Sequence, residues 1–281
     1  MQTTLKTIRP IQRQIIGQQT ADGASVRLTR VIGAARLPQL DPFLLLDDFR
    51  SDDPNDYIGG FPPHPHRGFE TVTYLLAGRM EHRDNAGHAG VLKAGGVQWM
   101  TAGRGVVHSE MPLQENGLLA GFQLWVNLPS SQKMTPPRYQ EFDAAEIPAE
   151  DREGGAVVRV VAGTTSRGTR GPVKDLATPV SYFDISLPAG TVFNESLPPS
   201  DNAFVYLIEG EVTIDGDTLQ PLSLAVLGEG EKVAVVARKP SRLLLVSGRP
   251  IREPVARRGP FVMNTEAELR QAFDDYQSGK F

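Results

Sequence analysis

Short apolar or alternating runs, separated by turn residues, recur along most of this chain of 281 residues. They are rich in Val, Ile, Phe and Tyr, and each is too short for a helix. The runs lie at residues 42–46, 71–76, 122–126, 157–161, 181–187, 203–208, 233–237 and 242–246. Many short strands at this spacing are typical of β-sandwiches and β-barrels. The 28 glycines and 22 prolines favour turns over long helices, so we predict an all-β protein.

A faint internal repeat predicts that the β-structure is duplicated. The run Tyr-Leu-Leu-Ala-Gly at Tyr74–Gly78 is echoed 132 residues later by Tyr-Leu-Ile-Glu-Gly at Tyr206–Gly210. In both copies a strand-like run enters a glycine turn, and the offset is close to half of the chain. Residues 130–153 are rich in proline and charge, which is typical of a linker. We therefore predict two domains, at residues 1–135 and 136–281.

One helix is predicted, at the C-terminus. Thr265–Glu268 has the pattern of a capping box. One apolar face then follows at helical spacing, formed by Leu269, Ala272, Phe273 and Tyr276. Gly279 can end the helix. We expect this face to pack on the outside of one of the barrels.

Charge and cysteine content exclude several classes of protein. The formal net charge is −4, and the Lys and Arg residues are scattered, so we expect no direct binding of nucleic acid or anionic lipid. Cysteine is absent, which excludes disulfides, thiolate nucleophiles and cysteine metal ligands. We see no signal peptide and no apolar run of membrane-spanning length, and we expect a cytoplasmic monomer.

The five histidines all lie between residues 64 and 108, and three of them predict a metal site. His64-Pro-His66 places two imidazoles on one face of an extended segment, with Cβ atoms about 6–7 Å apart. His108-Ser-Glu110 repeats this spacing on a later strand. The 41 residues between the two pairs suffice for two hairpins that bring the strands together. The prediction is a site of three imidazoles and one carboxylate.

The spacing leaves the identity of the carboxylate open. Glu70 lies four residues after His66, so strand alternation also puts it on the ligand face. Whichever of Glu70 and Glu110 does not bind the metal can orient an imidazole N–H. His82 and His88 stand in a polar stretch that contains glycine, and we expect them on a hairpin surface rather than at the metal.

Four stretches of the chain resemble the pirin family. The two signature stretches of that family resemble Gly60–Val72 and Gln98–Pro112, and its tail resembles Gly259–Glu266 and Phe273–Phe281. The resemblance implies a bicupin, that is, two tandem cupin (jelly-roll) β-barrels. It also implies iron(II) in the N-terminal barrel, held by His64, His66, His108 and Glu110. Imidazole also suits zinc, nickel and copper, so the residues alone leave the metal open.

The resemblance implies two alternative functions. Some pirins resemble quercetin 2,3-dioxygenase and open a flavonol ring with O2, so the partners would be a small aromatic substrate and O2. Glu110, or Glu70 nearby, would then take the flavonol hydroxyl proton as general base. Other pirins are iron-dependent, redox-sensitive proteins that bind a transcription factor or a metabolic enzyme, which would give this chain a protein partner.

The second half of the chain lacks the predicted ligands. The offset of 132 residues maps His64 to Ser196 and His66 to Pro198, and no histidine follows residue 108. The C-terminal barrel therefore cannot hold an imidazole site, and we expect it to be structural or to present a surface for partners. A structural zinc site is a poor interpretation of the first half, because such sites are closed, tetrahedral and often rich in cysteine.

Overall fold

The structure is a computed structural model, which describes residues 7–281 and divides them between two compact units. The unit called here the N-terminal barrel comprises residues 18–145 and 251–281. The C-terminal barrel comprises the residues up to 17 and residues 146–250. This differs from a division at residues 1–135 and 136–281, because a strand at the start of the chain pairs with a strand of the second half and the C-terminal tail belongs to the same unit as residues 18–145. Such long-range pairing leaves no local signal in the sequence.

The N-terminal barrel has two antiparallel sheets. After β1 (Ile11–Ile16), which belongs to the other unit, its strands are β2 (Gln18–Asp22), β3 (Val26–Ile32), β4 (Phe43–Ser51), β5 (Phe61–His66), β6 (Phe69–Ala77), β7 (Arg79–Asp84), β8 (Ala89–Lys93), β9 (Val97–Thr101), β10 (Val106–Pro112), β11 (Leu119–Asn127) and β12 (Arg138–Phe142). The larger sheet has the order β12-β9-β6-β11-β4-β3-β2, and the smaller has the order β5-β10-β7-β8.

The C-terminal barrel repeats this arrangement. Its further strands are β13 (Ala149–Asp151), β14 (Val157–Ala162), β15 (Val180–Leu187), β16 (Val192–Ser196), β17 (Asn202–Glu209), β18 (Val212–Ile214), β19 (Asp217–Leu219), β20 (Ser223–Leu227), β21 (Lys232–Ala237) and β22 (Ser241–Gly248). The sheet orders are β1-β20-β17-β22-β15-β14-β13 and β16-β21-β18-β19. Short 3-10 turns lie at Pro54–Asp56, Ser130–Gln132, Ala144–Glu146 and Glu153–Gly155.

The strand orders confirm the predicted duplication. β6, which carries the first copy of the repeat, occupies the same place in its sheet as β17, which carries the second. Both strands end before a glycine of positive φ, at +87° for Gly78 and +90° for Gly210, a backbone region that favours glycine. At one edge, β1 from the start of the chain takes the place that β12 holds in the N-terminal barrel.

All eight predicted strands are present, but the predicted linker is partly wrong. Within residues 130–153, strand β12 pairs with β9 in the N-terminal barrel, and β13 pairs with β14 in the C-terminal barrel. Both strands lie at sheet edges, where proline and charge are tolerated because one side of the strand needs no partner. The proline- and charge-rich composition that indicated a linker therefore also fits these edge strands.

The C-terminal tail forms a hairpin and a helix in the same unit as β2–β12. The hairpin pairs β23 (Ala256–Arg258) with β24 (Phe261–Met263), and α1 (Glu266–Gln277) follows. Thr265 and Glu268 make the predicted capping box. Leu269 and Ala272 of the predicted apolar face are buried, but they pack against Phe261 of the hairpin rather than against a strand of the barrel, and Tyr276 at the end of the face is 39% exposed. Within residues 7–281, no helix has the length and apolar character needed to cross a membrane.

Candidate metal centre

Two neighbouring strands of the smaller sheet carry the predicted ligands. β5 and β10 are antiparallel, and His108 lies directly opposite His64 in their register. Because opposite residues of a pair point to the same face, these imidazoles meet on the inside of the N-terminal barrel. The register shifts between His108 and Glu110, so that Glu110 lies opposite Phe61.

The three histidines converge on one point. Their candidate ligand nitrogens all lie within 4.8 Å of one another. The Nε2 atoms of His64 and His66 are 3.0 Å apart. The His108 ring centroid lies 4.5 Å from that of His64 and 5.1 Å from that of His66. The predicted convergence of two separate segments is therefore present, and the group can hold a metal ion.

Burial keeps the inner imidazoles neutral, as a metal ligand must be. Burial lowers the pKa of His66 well below its usual range, helped by the neighbouring His108 and His64. Burial also lowers the pKa of His108 to about 4. Neither ring nitrogen of His108 has a hydrogen-bond partner within residues 7–281, which is uncommon for buried polar atoms and fits a ligand position. His64 Nδ1 lies 2.8 Å from the Pro62 carbonyl, which orients its Nε2 towards the cluster.

The Glu110 carboxylate lies beside the histidines but outside their cluster. It is 3% exposed, and both of its oxygens accept hydrogen bonds. Oε1 accepts from the Thr73 hydroxyl at 2.8 Å, and Oε2 accepts from Gln123 Nε2 at 2.9 Å. Its place as the fourth ligand therefore stays a proposal, because the side chain must turn to reach an ion held by the imidazoles.

Glu70 does not face the histidines, contrary to the expectation from its spacing. Gly68, with φ of +89°, separates β5 from β6, so the alternation that relates Glu70 to His66 is interrupted. In β6 it is Thr73 that reaches Glu110, and strand alternation puts Glu70 on the opposite face. Glu70 Oε1 instead accepts a hydrogen bond from Thr101 at 2.7 Å, and burial raises the Glu70 pKa. We therefore assign Glu70 no part in the site.

His82 is buried, whereas both it and His88 were expected on a hairpin surface. His82 lies opposite Glu110 in the β7–β10 register, which turns its side chain inwards. Its Nε2 lies 2.5 Å from Glu141 Oε2, and its ring stacks on Tyr139. His88 is exposed as expected. Neither histidine belongs to the three-histidine group, so the expectation that they do not bind the metal agrees with the geometry.

A cavity of about 560 Å³ opens beside His64, His66 and Glu110, and its size is in the range of pockets for small ligands. Its walls are largely apolar and include Leu28, Leu45, Phe49, Phe61 and Trp125. Arg30 and Asp47 also line it, joined by two hydrogen bonds of 2.9 and 2.7 Å. Burial raises the pKa of Asp47 to about 6 despite this contact.

Trp125 and Arg257 are among the cavity residues that the sequence did not predict. Trp125 lies two residues after Gln123 on a predicted strand, so both side chains point to the same face. That shared face could have placed Trp125 in the site. Arg257 comes from β23 in the tail and lines the same cavity. No periodicity or spacing connects a residue so far along the chain to the histidines.

The C-terminal barrel has an apolar core at the equivalent positions. The strand registers align Thr73 with Val205, Gln123 with Leu245, and Glu110 with Val235. All three apolar residues belong to one buried cluster. The duplicated fold thus carries a polar site in one copy and a packed hydrophobic interior in the other, in agreement with the prediction from the missing histidines.

Comparison with known proteins gives matches along nearly the whole chain. The profile of the Pirin family matches residues 25–126, and that of the Pirin C-terminal cupin domain matches residues 182–281. A pirin-like protein of Caulobacter vibrioides is 54% identical over 98% of this chain and 99% of its own length. Human pirin is 43% identical over 97% of this chain and 93% of its own. The crystal structure of a quercetin 2,3-dioxygenase from Acinetobacter baumannii superposes with a TM-score of 0.91, at 34% identity, covering 98% of this chain and 99% of that protein.

Proposed function

The chain belongs to the pirin family, and from that membership we propose that its N-terminal barrel is an iron-dependent dioxygenase that opens flavonols such as quercetin with O2. The observation that carries the proposal is the convergence of three imidazoles beside an apolar-walled cavity. The similar structure from Acinetobacter baumannii, a quercetin 2,3-dioxygenase, supports the same reaction class. The partners of the reaction would be the small aromatic substrate and O2.

The metal would be held by His64, His66 and His108, with Glu110 as the proposed fourth ligand. Three nitrogens and one oxygen donor suit iron(II), and two of six coordination positions would remain open. Bound there, iron(II) would supply Lewis acidity and sites for dioxygen chemistry. Zinc, nickel and copper accept the same imidazoles, so metal analysis of protein purified from iron-replete cells is part of the test.

We assign Glu110 the role of general base for the flavonol hydroxyl. The carboxylate lines the cavity, and Thr73 and Gln123 orient it. A turn of the side chain towards the histidines would free one oxygen from Thr73 while Gln123 holds the other. In that position the free oxygen could bind the metal, and the oxygen that Gln123 holds could accept the hydroxyl proton of a bound flavonol.

The cavity walls would position the aromatic rings of the substrate. Trp125 lines the cavity and packs on Phe69, with 4.3 Å between the two ring centroids. The His66 ring stands edge-on to the indole, with 5.2 Å between the centroids. These contacts fix the indole plane, so a planar ligand would meet a preformed surface. Packing of a flavonol against Trp125 and Phe49 would also exclude water from the reacting end of the cavity.

Incubation of the iron-loaded protein with quercetin, with and without O2, tests the proposal. We expect loss of flavonol absorbance and matching O2 consumption only in the aerobic sample. The His108→Ala variant should lose this activity with its metal, whereas His88→Ala, which changes an exposed histidine of the same barrel, should keep it. Absence of turnover in air, with iron confirmed in the protein, would refute the dioxygenase proposal.

The alternative is an iron- and redox-dependent regulatory protein that binds a transcription factor or a metabolic enzyme. The same samples discriminate between the two functions. Negligible turnover, together with a protein partner retained by only the Fe(II) or only the Fe(III) form, would favour the regulator. Oxygen-dependent turnover with no such difference in retention would favour the enzyme.

A further inference from the structure

The tail places a guanidinium at the mouth of the metal-site cavity. Arg257 lies on β23, and its Nη1 donates a hydrogen bond to the Leu44 carbonyl at 2.9 Å. Its Cζ lies 4.7 Å from the ring centroid of Trp125, in a cation–π contact. The side chain is held on two sides by these contacts, yet it remains exposed to solvent and lines the cavity.

Within the part of the chain that the structure describes, Arg257 forms no direct ion pair, unlike the other arginine in the cavity, and Asp47 and Asp22 act on its charge only from a longer distance. Arg30 donates two hydrogen bonds to Asp47 and one, of 2.8 Å, to Asp22. Within residues 7–281, no Asp or Glu oxygen lies within 4.0 Å of the Arg257 guanidinium, and the bond to Leu44 is its one hydrogen bond. Most of its N–H donors are therefore available to a ligand.

The indole of Trp125 contacts both Arg257 and one of the metal-binding histidines. One neighbour of the indole is Arg257, and another is His66, 5.2 Å away between ring centroids. Because Arg257, Trp125 and His66 line one cavity, a planar ligand with one end at the histidines can place its other end at the guanidinium. The apolar walls in between offer it no other cation, because Arg30 is already paired.

The hairpin that carries Arg257 is fixed to the barrel by buried charged groups. The Lys133 ammonium is buried and donates to the carbonyls of Gly68 at 2.8 Å and Val262 at 3.1 Å, which joins the hairpin to the segment after His66. Arg67, the residue after His66, forms an ion pair of 2.9 Å with Asp275 of the helix. The guanidinium of Arg257 therefore stands in a fixed position relative to the histidines, as a specificity element should.

We propose that Arg257 is a specificity-determining residue, which makes this cavity prefer aromatic ligands with an anionic oxygen, a carboxylate or a phenolate, at the end remote from the histidines. The inference rests on the proposed function only in taking the histidines as the reacting end. A charge-assisted hydrogen bond between the anionic oxygen and the guanidinium would supply this preference. Because solvent at the mouth of the cavity screens the charges, we expect the anionic ligand to have a Kd only about tenfold lower than that of its neutral counterpart.

A pair of matched probes tests this without turnover. Zinc(II), which has no redox chemistry, replaces iron in the protein of 281 residues. Binding of 3-hydroxyflavone and of its 4′-carboxylate is then measured by fluorescence titration at neutral pH and low salt. Arg257→Gln removes the charge and Arg257→Lys keeps it. Arg258→Gln is the matched control, because Arg258 lies on the same strand but pairs with Glu266 at 3.0 Å.

We expect the unaltered protein to bind the carboxylate about tenfold more tightly than the neutral flavonol, less so at high ionic strength. Arg257→Gln should abolish this preference, Arg257→Lys should retain part of it, and Arg258→Gln should leave it unchanged. An equal preference in Arg257→Gln, or no preference in the unaltered protein, would overturn the inference. Oxygen uptake by the iron-loaded protein is a separate readout, so a failed dioxygenase proposal remains distinguishable from a failed role of Arg257.

Discussion

Valine substitution of Glu110 and Thr73 tests whether they form one buried polar unit. The C-terminal barrel holds Val235 and Val205 at the equivalent positions, so the fold accommodates both replacements. Glu110→Val alone leaves the Thr73 hydroxyl, in a residue only 2% exposed, without its carboxylate acceptor. A buried polar group without a partner costs about 1–3 kcal/mol. Thr73→Val alone removes a donor from a buried carboxylate and should cost about 1.5–3 kcal/mol.

In the double variant, neither the Thr73 hydroxyl nor the Glu110 carboxylate is left without its partner. Its loss in free energy of unfolding should therefore be smaller than the sum of the losses in the two single variants. We expect a coupling free energy of about 2 kcal/mol between the two sites. Thr73→Ser keeps the hydroxyl and serves as the control that should preserve the free energy of unfolding more closely than Thr73→Val.

Urea unfolding of the chelator-treated protein, followed by tryptophan fluorescence, measures this coupling. The chain has two tryptophans, Trp99 and Trp125, and both lie in the N-terminal barrel, so the signal reports the unit that carries the substitutions. Additive effects, with a coupling below about 0.5 kcal/mol, would refute the reasoning, because that is the level of independent sites.

Three other predictions concern the same barrel. His64→Ala should lower the metal content per chain, measured by elemental analysis, whereas His88→Ala should not; equal loss in both would contradict the assignment of the site. In the metal-free protein the pKa of His108 is about 4 in the folded state, against 6.5 ordinarily. Between these two pH values the unfolded chain binds a proton at His108 and the folded chain does not. His108 should therefore cost up to about 3 kcal/mol of stability as pH drops from 6.5 to 4, and His108→Gln should make the profile less steep, with His66, whose pKa is also lowered, keeping part of the slope; an unchanged slope would argue against this. Lys133→Met removes three buried hydrogen bonds and should destabilise the barrel by at least about 2 kcal/mol, with faster proteolysis of the tail; wild-type resistance would show that the ammonium does not fix the tail.

The sequence predicted features that depend on neighbours along the chain. Alternation along single strands placed the eight predicted strands correctly, and the capping box fixed the start of the helix at Thr265. The spacing of His64 and His66 set two imidazoles on one face, and the repeat at Tyr74 and Tyr206 indicated the duplication. Each of these signals spans a few residues, or compares two such short spans, and is therefore readable without the fold.

Only the tertiary structure decided which side chains share the cavity. The break at Gly68 turned Glu70 away from the histidines, because alternation holds only within an unbroken strand. The antiparallel register with Glu110 turned His82 inwards, although the composition around it suggested an exposed hairpin. Arg257 reaches Trp125 because the tail returns to the first barrel, and contacts between such distant residues depend on sheet pairing and packing that no local pattern encodes.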